Sequence, residues 1–170
     1  NPLAFAASLT FEQSYDEVEG DSASSAELVA ILTSLADVAI RQDVAVTGSV
    51  DQFGAVQAVG GVAEKVEGFY DVCKEIGLTG TQGVVLPAAN LINLTLRPDV
   101  LEAVEEGRFH LWAVRRIEET IGILTGIEAG TRDEDGNYPE GSVYARVTRA
   151  LSQMSQSAGP STQRATSAPN

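Results

Sequence analysis

Two residues of types that could carry out peptide-bond chemistry stand in similar surroundings in this sequence. Ser22 lies in the segment Glu19–Ser24, which reads Glu-Gly-Asp-Ser-Ala-Ser, and Lys65 follows the pair Gly60-Gly61 by a few residues. Each of the two is predicted to lie at the start of a helix. A serine hydroxyl becomes a nucleophile when a neighbouring group accepts its proton, and a lysine partly removed from water can be that group. The pair raises the hypothesis of a serine–lysine hydrolase.

The pattern around each residue also allows a purely structural role. The helix that follows Ser22 offers unpaired backbone N–H groups and a positive dipole end, which could stabilise an oxyanion. Ser22 or Ser24 could instead cap that helix, and Ser24 fits better because Ser24–Glu27 has the form of a capping box. A helix dipole disfavours the charged form of Lys65 in the first turn, but solvated helix lysines are common. The two signals reinforce each other only if the fold brings these side chains together.

Other kinds of chemical site find no support in the sequence. No Gly-x-x-x-x-Gly-Lys-Ser/Thr phosphate loop is present, and no Cys/His cluster has zinc-binding spacing, so neither a bound cofactor nor a metal is expected in this chain. The single histidine, His110, falls in a predicted strand and is interpreted as an ordinary strand residue. The single cysteine, Cys73, shares a helical face with Val66, Phe69, Tyr70 and Ile76 and is interpreted as a packing residue.

The composition limits which binding partners and which cellular compartment are expected for this protein. A net charge of −13 and an isoelectric point near 4.3 argue against direct binding to nucleic acid or to an anionic membrane surface. One cysteine cannot form an internal disulfide, which fits a reducing, cytoplasmic location. No apolar run approaches the roughly 20 residues that a membrane-spanning helix needs. The first residue is Asn1 rather than Met, and we expect a piece of a longer polypeptide.

The order of the predicted elements indicates an α/β or α+β domain. The predicted elements are a strand within 3–14, helices over 24–41, 62–76, 98–107, 116–125 and 142–154, and strands over 44–50, 55–59, 83–86 and 109–114. The strands over 44–50 and 55–59 are expected to form a hairpin. We divide the chain into a core over 1–126, an extension over 127–154 that contains the last helix, and a disordered tail over 155–170.

These motifs resemble the proteolytic domain of Lon proteases. The B-type branch has the nucleophile motif found here at Glu19–Ser24, and the family's lysine follows a Gly-Gly pair 43 positions after the serine, as Lys65 does. Between them the family has a strand ending in Thr-Gly, matched by Thr47-Gly48. The similarity covers about 9–126, and the segment 138–143 is similar to bacterial Lon-related proteins, whose protease domain follows an ATPase region.

The resemblance implies a mixed α+β fold, the Lon proteolytic-domain fold, which is like the second domain of ribosomal protein S5. It also implies that Ser22 is the nucleophile, that Lys65 is the base and that Thr47 supports the lysine by a hydrogen bond. Asp21 replaces the proline of A-type Lon, and the resemblance implies that Glu19 and Asp21 contact the lysine and hold an inactive arrangement.

For the full-length protein, the resemblance implies an ATP-dependent serine endopeptidase that cleaves unfolded polypeptides. It would work as a homohexamer with an ATPase region on the same chain, upstream of these residues. The alternative is a catalytically silent Lon-fold module that serves assembly. The presence of both Ser22 and Lys65 counts against that alternative.

Overall fold

The structure is a computed structural model that describes residues 7–10 and 20–157. Its helices and strands follow one another along the chain in a mixed order. They are α1 (Ser24–Ala36), β1 (Val44–Val46), β2 (Ser49–Val50), β3 (Val56–Gln57), α2 (Val62–Ile76), β4 (Gly83–Pro87), a 3-10 helix (Ala88–Asn93), α3 (Pro98–Glu105), β5 (His110–Val114), α4 (Ile117–Thr125) and α5 (Val143–Ser157). None of the helices in these described ranges is both long enough and apolar enough to cross a membrane.

A parallel sheet of three strands lies at the centre, with strand order β1-β4-β5. Strands β2 and β3 form a separate antiparallel pair. The central strand β4 is buried along its whole length. Its sequence, Gly-Val-Val-Leu-Pro, contains no polar side chain, as expected for a parallel strand covered on both faces. The mixed α/β fold predicted from the sequence is confirmed.

Alternate residues of β4 reach opposite faces of this sheet. Val84 and Leu86 belong to a core that also contains residues of α2 and α3. Val85, between them, packs with Val56 and Val114 on the other face. Helices α1, α4 and α5 share a further core, against which side chains of β1 pack. The parallel sheet therefore separates two helical layers.

Helix α2 begins and ends where the sequence predicts. Gly61 precedes it in the left-handed conformation, and Gly77 follows it with a φ of 101°. Cys73 is buried in the core, and burial raises the pKa of its thiol. The packing role predicted for Cys73 is therefore confirmed, but the inclusion of Ile76 on the buried face is wrong, because that side chain is 75% exposed.

Helix α1 ends earlier than the sequence predicts. It ends at Ala36 rather than near Arg41, because Asp37 adopts a left-handed conformation with a φ of 52°. The next amide, that of Val38, then bonds to the carbonyl of Thr33 and closes the helix. The helix is buried along one side. The residues of this buried side are Ser25, Val29, Thr33 and Ala36.

The strand predicted over 44–50 is two strands in the structure. Strand β1 ends at Val46, and the amide of Thr47 still bonds to the carbonyl of Val85. Gly48 then bonds to residues of the turn before α1 instead of continuing the ladder. Strand β2 pairs with β3 as the predicted hairpin, but this pairing is limited to two residue pairs.

The remaining boundaries shift by small amounts. Helix α3 ends at Glu105, β5 begins at His110, and α4 begins at Ile117. Helix α5 continues through Ser157, past its predicted end at Met154, so 155–157 are helical and not part of a disordered tail. Residues 7–10 have no regular structure, and the rest of the strand predicted within 3–14, like residues 158–170, lies outside the described residues.

Asp43 connects the starts of β1 and β4. Its carboxylate accepts hydrogen bonds from the guanidinium of Arg41 at 2.9 and 2.8 Å and from the hydroxyl of Thr81 at 2.7 Å. Its backbone carbonyl accepts the amide hydrogen of Gly83. The hydrogen bond from Arg41 is the main cause that lowers the pKa of Asp43 to about 2.

We expect Asp43→Asn to destabilise the protein at neutral pH but not in strong acid. A carboxylate whose pKa is lower in the folded than in the unfolded state stabilises the fold above its unfolded value, near 3.8, and loses that effect as the pH falls through 2. Urea denaturation between pH 6 and pH 2 should show the two curves converging at the acid end. Asp135→Asn, in the exposed loop after α4, is the control, and an Asp43→Asn deficit independent of pH would contradict the assignment.

Candidate active site

Three of the predicted site residues meet at one point of the fold. Ser22 lies in the turn before α1, Lys65 in the first turn of α2, and Thr47 directly after β1. The ammonium of Lys65 donates hydrogen bonds to Ser22 Oγ at 3.0 Å and to Thr47 Oγ1 at 3.3 Å. A lysine nitrogen in hydrogen-bond contact with a serine hydroxyl is the arrangement required for proton transfer between them.

The start of α2 fixes the position of Lys65. The amide of Lys65 bonds to the carbonyl of Gly61, whose left-handed backbone turns the chain into the helix. Val62 and Val66 lie one helical turn apart and are buried in the core. Because these two residues anchor the helix, the neighbouring Lys65, which is exposed, is held beside the buried face with its ammonium at the serine.

The turn that carries Ser22 is held against the chain after β1. The amide of Gly48 donates to the carbonyl of Ser22 at 2.8 Å, and the amide of Ser25 donates to the carbonyl of Gly48 at 3.2 Å. Within the turn, the amide of Ser24 bonds to the carbonyl of Asp21 at 2.9 Å. These bonds fix the backbone on both sides of the Ser22 hydroxyl.

Close packing explains why a glycine stands at position 48. A Cβ atom there would lie 3.1 Å from Val56 Cγ1, 3.3 Å from Pro87 Cγ and 3.4 Å from Ser25 Oγ. A larger residue would require these neighbouring side chains to shift by a few tenths of an ångström. Gly48 therefore permits the close approach that positions Ser22.

The capping box predicted at Ser24 is wrong. Ala23 is the N-cap residue of α1, and among the described residues no side chain caps this helix. The hydroxyl of Ser24 instead accepts the amide hydrogen of Val50 at 3.0 Å, a partner distant in sequence. A long-range hydrogen bond has replaced the local one that the pattern favours.

Asp21, the described acidic residue beside Ser22, is hydrogen bonded to Ser49. Asp21 Oδ2 accepts a hydrogen bond from Ser49 Oγ at 2.7 Å, and Asp21 forms no ion pair with Lys65 in the part of the chain that the structure describes. The predicted contact between Asp21 and Lys65 is therefore not formed. Glu19 lies outside the described residues. Sequence reasoning missed Ser49, since nothing in its local pattern indicates this bond.

Two backbone amides remain as candidate donors for an oxyanion. The amides of Ser24 and Ser25 are already hydrogen bonded, to Asp21 and Gly48. Within the described ranges, those of Ser22 and Ala23 have no hydrogen-bond acceptor. Both lie at the dipole-positive end of α1, which favours negative charge.

The other chemical groups considered from the sequence lie apart from this site. His110 is on β5, where its Nε2 pairs with the carbonyl of Gly80 at 2.8 Å and its ring contacts Trp112. This is the ordinary strand position that the sequence predicts. Across residues 7–10 and 20–157, no three acidic, histidine or cysteine side chains are grouped as a metal site would require.

A match to a family model shows which protein family this chain belongs to. The family model of the Lon protease (S16) C-terminal proteolytic domain matches residues 17–125, which include Ser22, Thr47 and Lys65. The chain belongs to this family. The resemblance drawn from the spacing of the serine and the lysine is confirmed.

Three relatives show how the Lon proteolytic domain relates to longer proteins. The chain is 53% identical over 125 residues to a protein of Escherichia coli K12 named "Putative Lon protease homolog", covering 74% of this chain and 21% of that protein. It is 42% identical over 154 residues to the protein of the same name in Haemophilus influenzae, covering 91% and 24%. The "Archaeal Lon protease" of Methanocaldococcus jannaschii is 42% identical over 120 residues, covering 71% and 16%. The chain thus spans a quarter or less of the length of these relatives.

Proposed function

We propose that this chain is the serine endopeptidase domain of an ATP-dependent Lon-type protease and that Ser22 and Lys65 form its catalytic dyad. The observation that carries the proposal is the 3.0 Å hydrogen bond between Lys65 Nζ and Ser22 Oγ. The family match supports peptide-bond hydrolysis as the reaction of this pair, since the matched family is that of a proteolytic domain.

In the first half of the reaction, neutral Lys65 accepts the proton of the Ser22 hydroxyl while Ser22 Oγ attacks the carbonyl carbon of the scissile peptide bond. The amides of Ser22 and Ala23 are the groups placed to stabilise the negative oxygen of the tetrahedral intermediate. When the C–N bond breaks, Lys65 returns the proton to the leaving amine, and an ester to Ser22 remains.

In the second half, water attacks the ester carbonyl. Lys65 accepts a proton from this water, the bond from the carbonyl carbon to Ser22 Oγ breaks, and the proton returns to Ser22. Thr47 keeps the ammonium or amine directed at the serine throughout, because its hydroxyl accepts a second hydrogen bond from Lys65 Nζ at 3.3 Å. The oxygens of Ser22 and Thr47 that contact the lysine are both neutral hydroxyl oxygens.

For the whole protein, we propose cleavage of unfolded polypeptides by a homohexamer in the cytoplasm. ATP would bind to an ATPase region on the same full-length polypeptide and not to these 170 residues, which have no phosphate-loop motif. The relatives' names support a protease, and their greater length leaves room for a further region on the same polypeptide.

A serine-directed acylating probe tests the proposal directly. We expect the protein to be labelled at Ser22, and labelling to disappear in Ser22→Ala and to persist in Ser34→Ala, which removes an exposed serine from α1. Ser22→Ala should change the free energy of unfolding by less than about 1 kcal/mol, since the hydroxyl makes its hydrogen bond to Lys65 and does not cap the helix.

Two results would contradict the dyad. Absence of labelling at Ser22 in the assembled full-length protein would favour the silent assembly module. Loss of stability well beyond 1 kcal/mol in Ser22→Ala, with hydrolysis retained, would assign the serine a structural role.

A further inference from the structure

The turn that carries Ser22 is joined to the segment 47–50 by four hydrogen bonds, and one of them differs in kind. Three have a backbone amide as donor, that of Gly48, Ser25 or Val50, and their acceptors are two backbone carbonyls and the neutral hydroxyl of Ser24. The fourth runs from the hydroxyl of Ser49 to the carboxylate of Asp21 at 2.7 Å, and it alone involves an ionised group. It therefore fixes the direction of a negative charge and not only the path of the backbone.

That charge lies next to the reacting atoms. Asp21 immediately precedes Ser22, whose hydroxyl is 3.0 Å from the Lys65 nitrogen. Asp21 is exposed, so its side chain has room to rotate if it is not restrained. A carboxylate that turned toward the ammonium would attract it, favour its protonated form and compete with Ser22 for its hydrogen bonds.

The hydroxyl that restrains Asp21 is itself firmly placed. Ser49 is 5% exposed and is the first residue of β2, where it pairs with Gln57. The residues before it, Thr47 and Gly48, are buried as well. Because the buried Ser49 is fixed in β2, its hydrogen bond holds the Asp21 carboxylate beside that strand.

We propose that Ser49 is a positioning residue that keeps the Asp21 carboxylate turned away from Lys65, so that the lysine can serve as the base for Ser22. This proposal rests on the proposed function, because it assigns Ser49 a role in the same dyad. Two described acidic residues adjoin the dyad in sequence: Asp21, beside Ser22, and Glu64, beside Lys65, whose carboxylate lies near Gly61. From the segment after β1, the neutral Thr47 contacts the lysine and the neutral Ser49 contacts Asp21.

Removal of the hydroxyl in Ser49→Ala should free Asp21. We expect peptide hydrolysis at pH 7 to fall about tenfold or more, which corresponds to a lysine that retains its proton to about one pH unit higher. The rate should recover as the pH is raised by one to two units. Addition of Asp21→Asn to Ser49→Ala should restore the rate at pH 7, because the carboxylate is then uncharged, and Ser49→Thr should restore it by returning a hydroxyl.

The matched control is Ser142→Ala, which removes an equally buried serine hydroxyl from the start of α5. Its rate should stay near that of the parent at every pH. A loss in Ser49→Ala that is the same at every pH and that neither Asp21→Asn nor Ser49→Thr reverses would overturn the proposal, since a merely structural serine would behave in that way.

A readout independent of activity separates this proposal from the dyad itself. The chain contains two lysines, Lys65 and Lys74, so the ε-carbon signals of 13C-labelled lysine can be assigned with Lys74→Arg and followed against pH. In Ser49→Ala the midpoint of the Lys65 titration should rise by about one pH unit or more, and Asp21→Asn should cancel the rise. An unchanged midpoint would refute the role of Ser49 even if hydrolysis depends on Ser22. Conversely, absence of Ser22-dependent hydrolysis in the parent would refute the proposed function, while the Lys65 midpoint would still decide where Asp21 points.

Discussion

Lys65→Arg is expected to remain folded and to lose peptide hydrolysis about as completely as Ser22→Ala. A general base must release and accept a proton during each cycle, and arginine keeps its proton at any accessible pH. The substitution retains the positive charge and can still donate hydrogen bonds to Ser22 and Thr47. We therefore expect a rate lower by about 10²–10⁴-fold or more, which is the usual contribution of a positioned base. Steady-state hydrolysis of an unstructured fluorogenic peptide measures this loss.

The second lysine of the chain provides the matched control. Lys74 lies on the same helix, α2, and its ammonium forms an exposed ion pair with Asp99 at 3.5 Å. Lys74→Arg should hydrolyse the peptide at the parental rate. The double variant Ser22→Ala/Lys65→Arg should be no slower than either single variant, because the two residues act as one unit. An active Lys65→Arg protein would eliminate the serine–lysine mechanism.

Phe109→Ala should cause the largest loss of stability among the substitutions considered for this chain. Phe109 is fully buried just before β5, and its ring packs edge-on against Tyr70 and is tilted against Phe69, both on α2. Truncation of a buried phenylalanine removes its apolar contacts and leaves a cavity, at a cost of about 3–5 kcal/mol. Urea denaturation at neutral pH measures the change in the free energy of unfolding.

A second phenylalanine tests whether burial is the cause. Phe53 lies at the tip of the β2–β3 hairpin and is 74% exposed. Phe53→Ala should change the free energy of unfolding by less than about 0.5 kcal/mol. If Phe109→Ala costs no more than Phe53→Ala, the core between α2 and the sheet is not packed as the structure indicates.

Elements bounded by local signals could be predicted from the sequence. Helix α2 has a glycine at each end and an apolar residue at every helical turn, so its limits and its buried face follow from short-range chemistry. Helix α4 likewise ends at Gly126, which adopts the left-handed conformation. In both cases the residue that ends the helix is the one whose type favours the required backbone.

Elements bounded by tertiary contacts could not be predicted in this way. Nothing local marks Asp37 as the end of α1, because a left-handed aspartate is uncommon and no glycine follows it. The division of the strand over 44–50 depends on partners far along the chain, namely Val85 for Thr47 and the Ser22 turn for Gly48. Such partners become visible only when the sheet order is known.

The candidate site shows the same division. The serine and the lysine were found from motif spacing and a family resemblance, and the structure places their side chains in contact. The use of the Ser24 hydroxyl by Val50 and of the Asp21 carboxylate by Ser49 was not foreseen. Both bonds join residues of the turn to a strand more than twenty positions later, and a local pattern carries no information about them.

The packing of α5 on α1 affects the stage of folding at which the candidate site forms. The two helices share one core, in which Val143 and Val147 of α5 join Val29 of α1, yet α5 comes over a hundred positions later in the chain. During synthesis α1, which follows the turn that carries Ser22, therefore leaves the ribosome long before the helix that covers it. Contacts so distant in sequence form late, since a long loop must close first. The nascent chain would thus carry Ser22 in the turn before an incompletely packed helix until its last described helix has been made, and the geometry of the candidate site would be acquired at the end of folding.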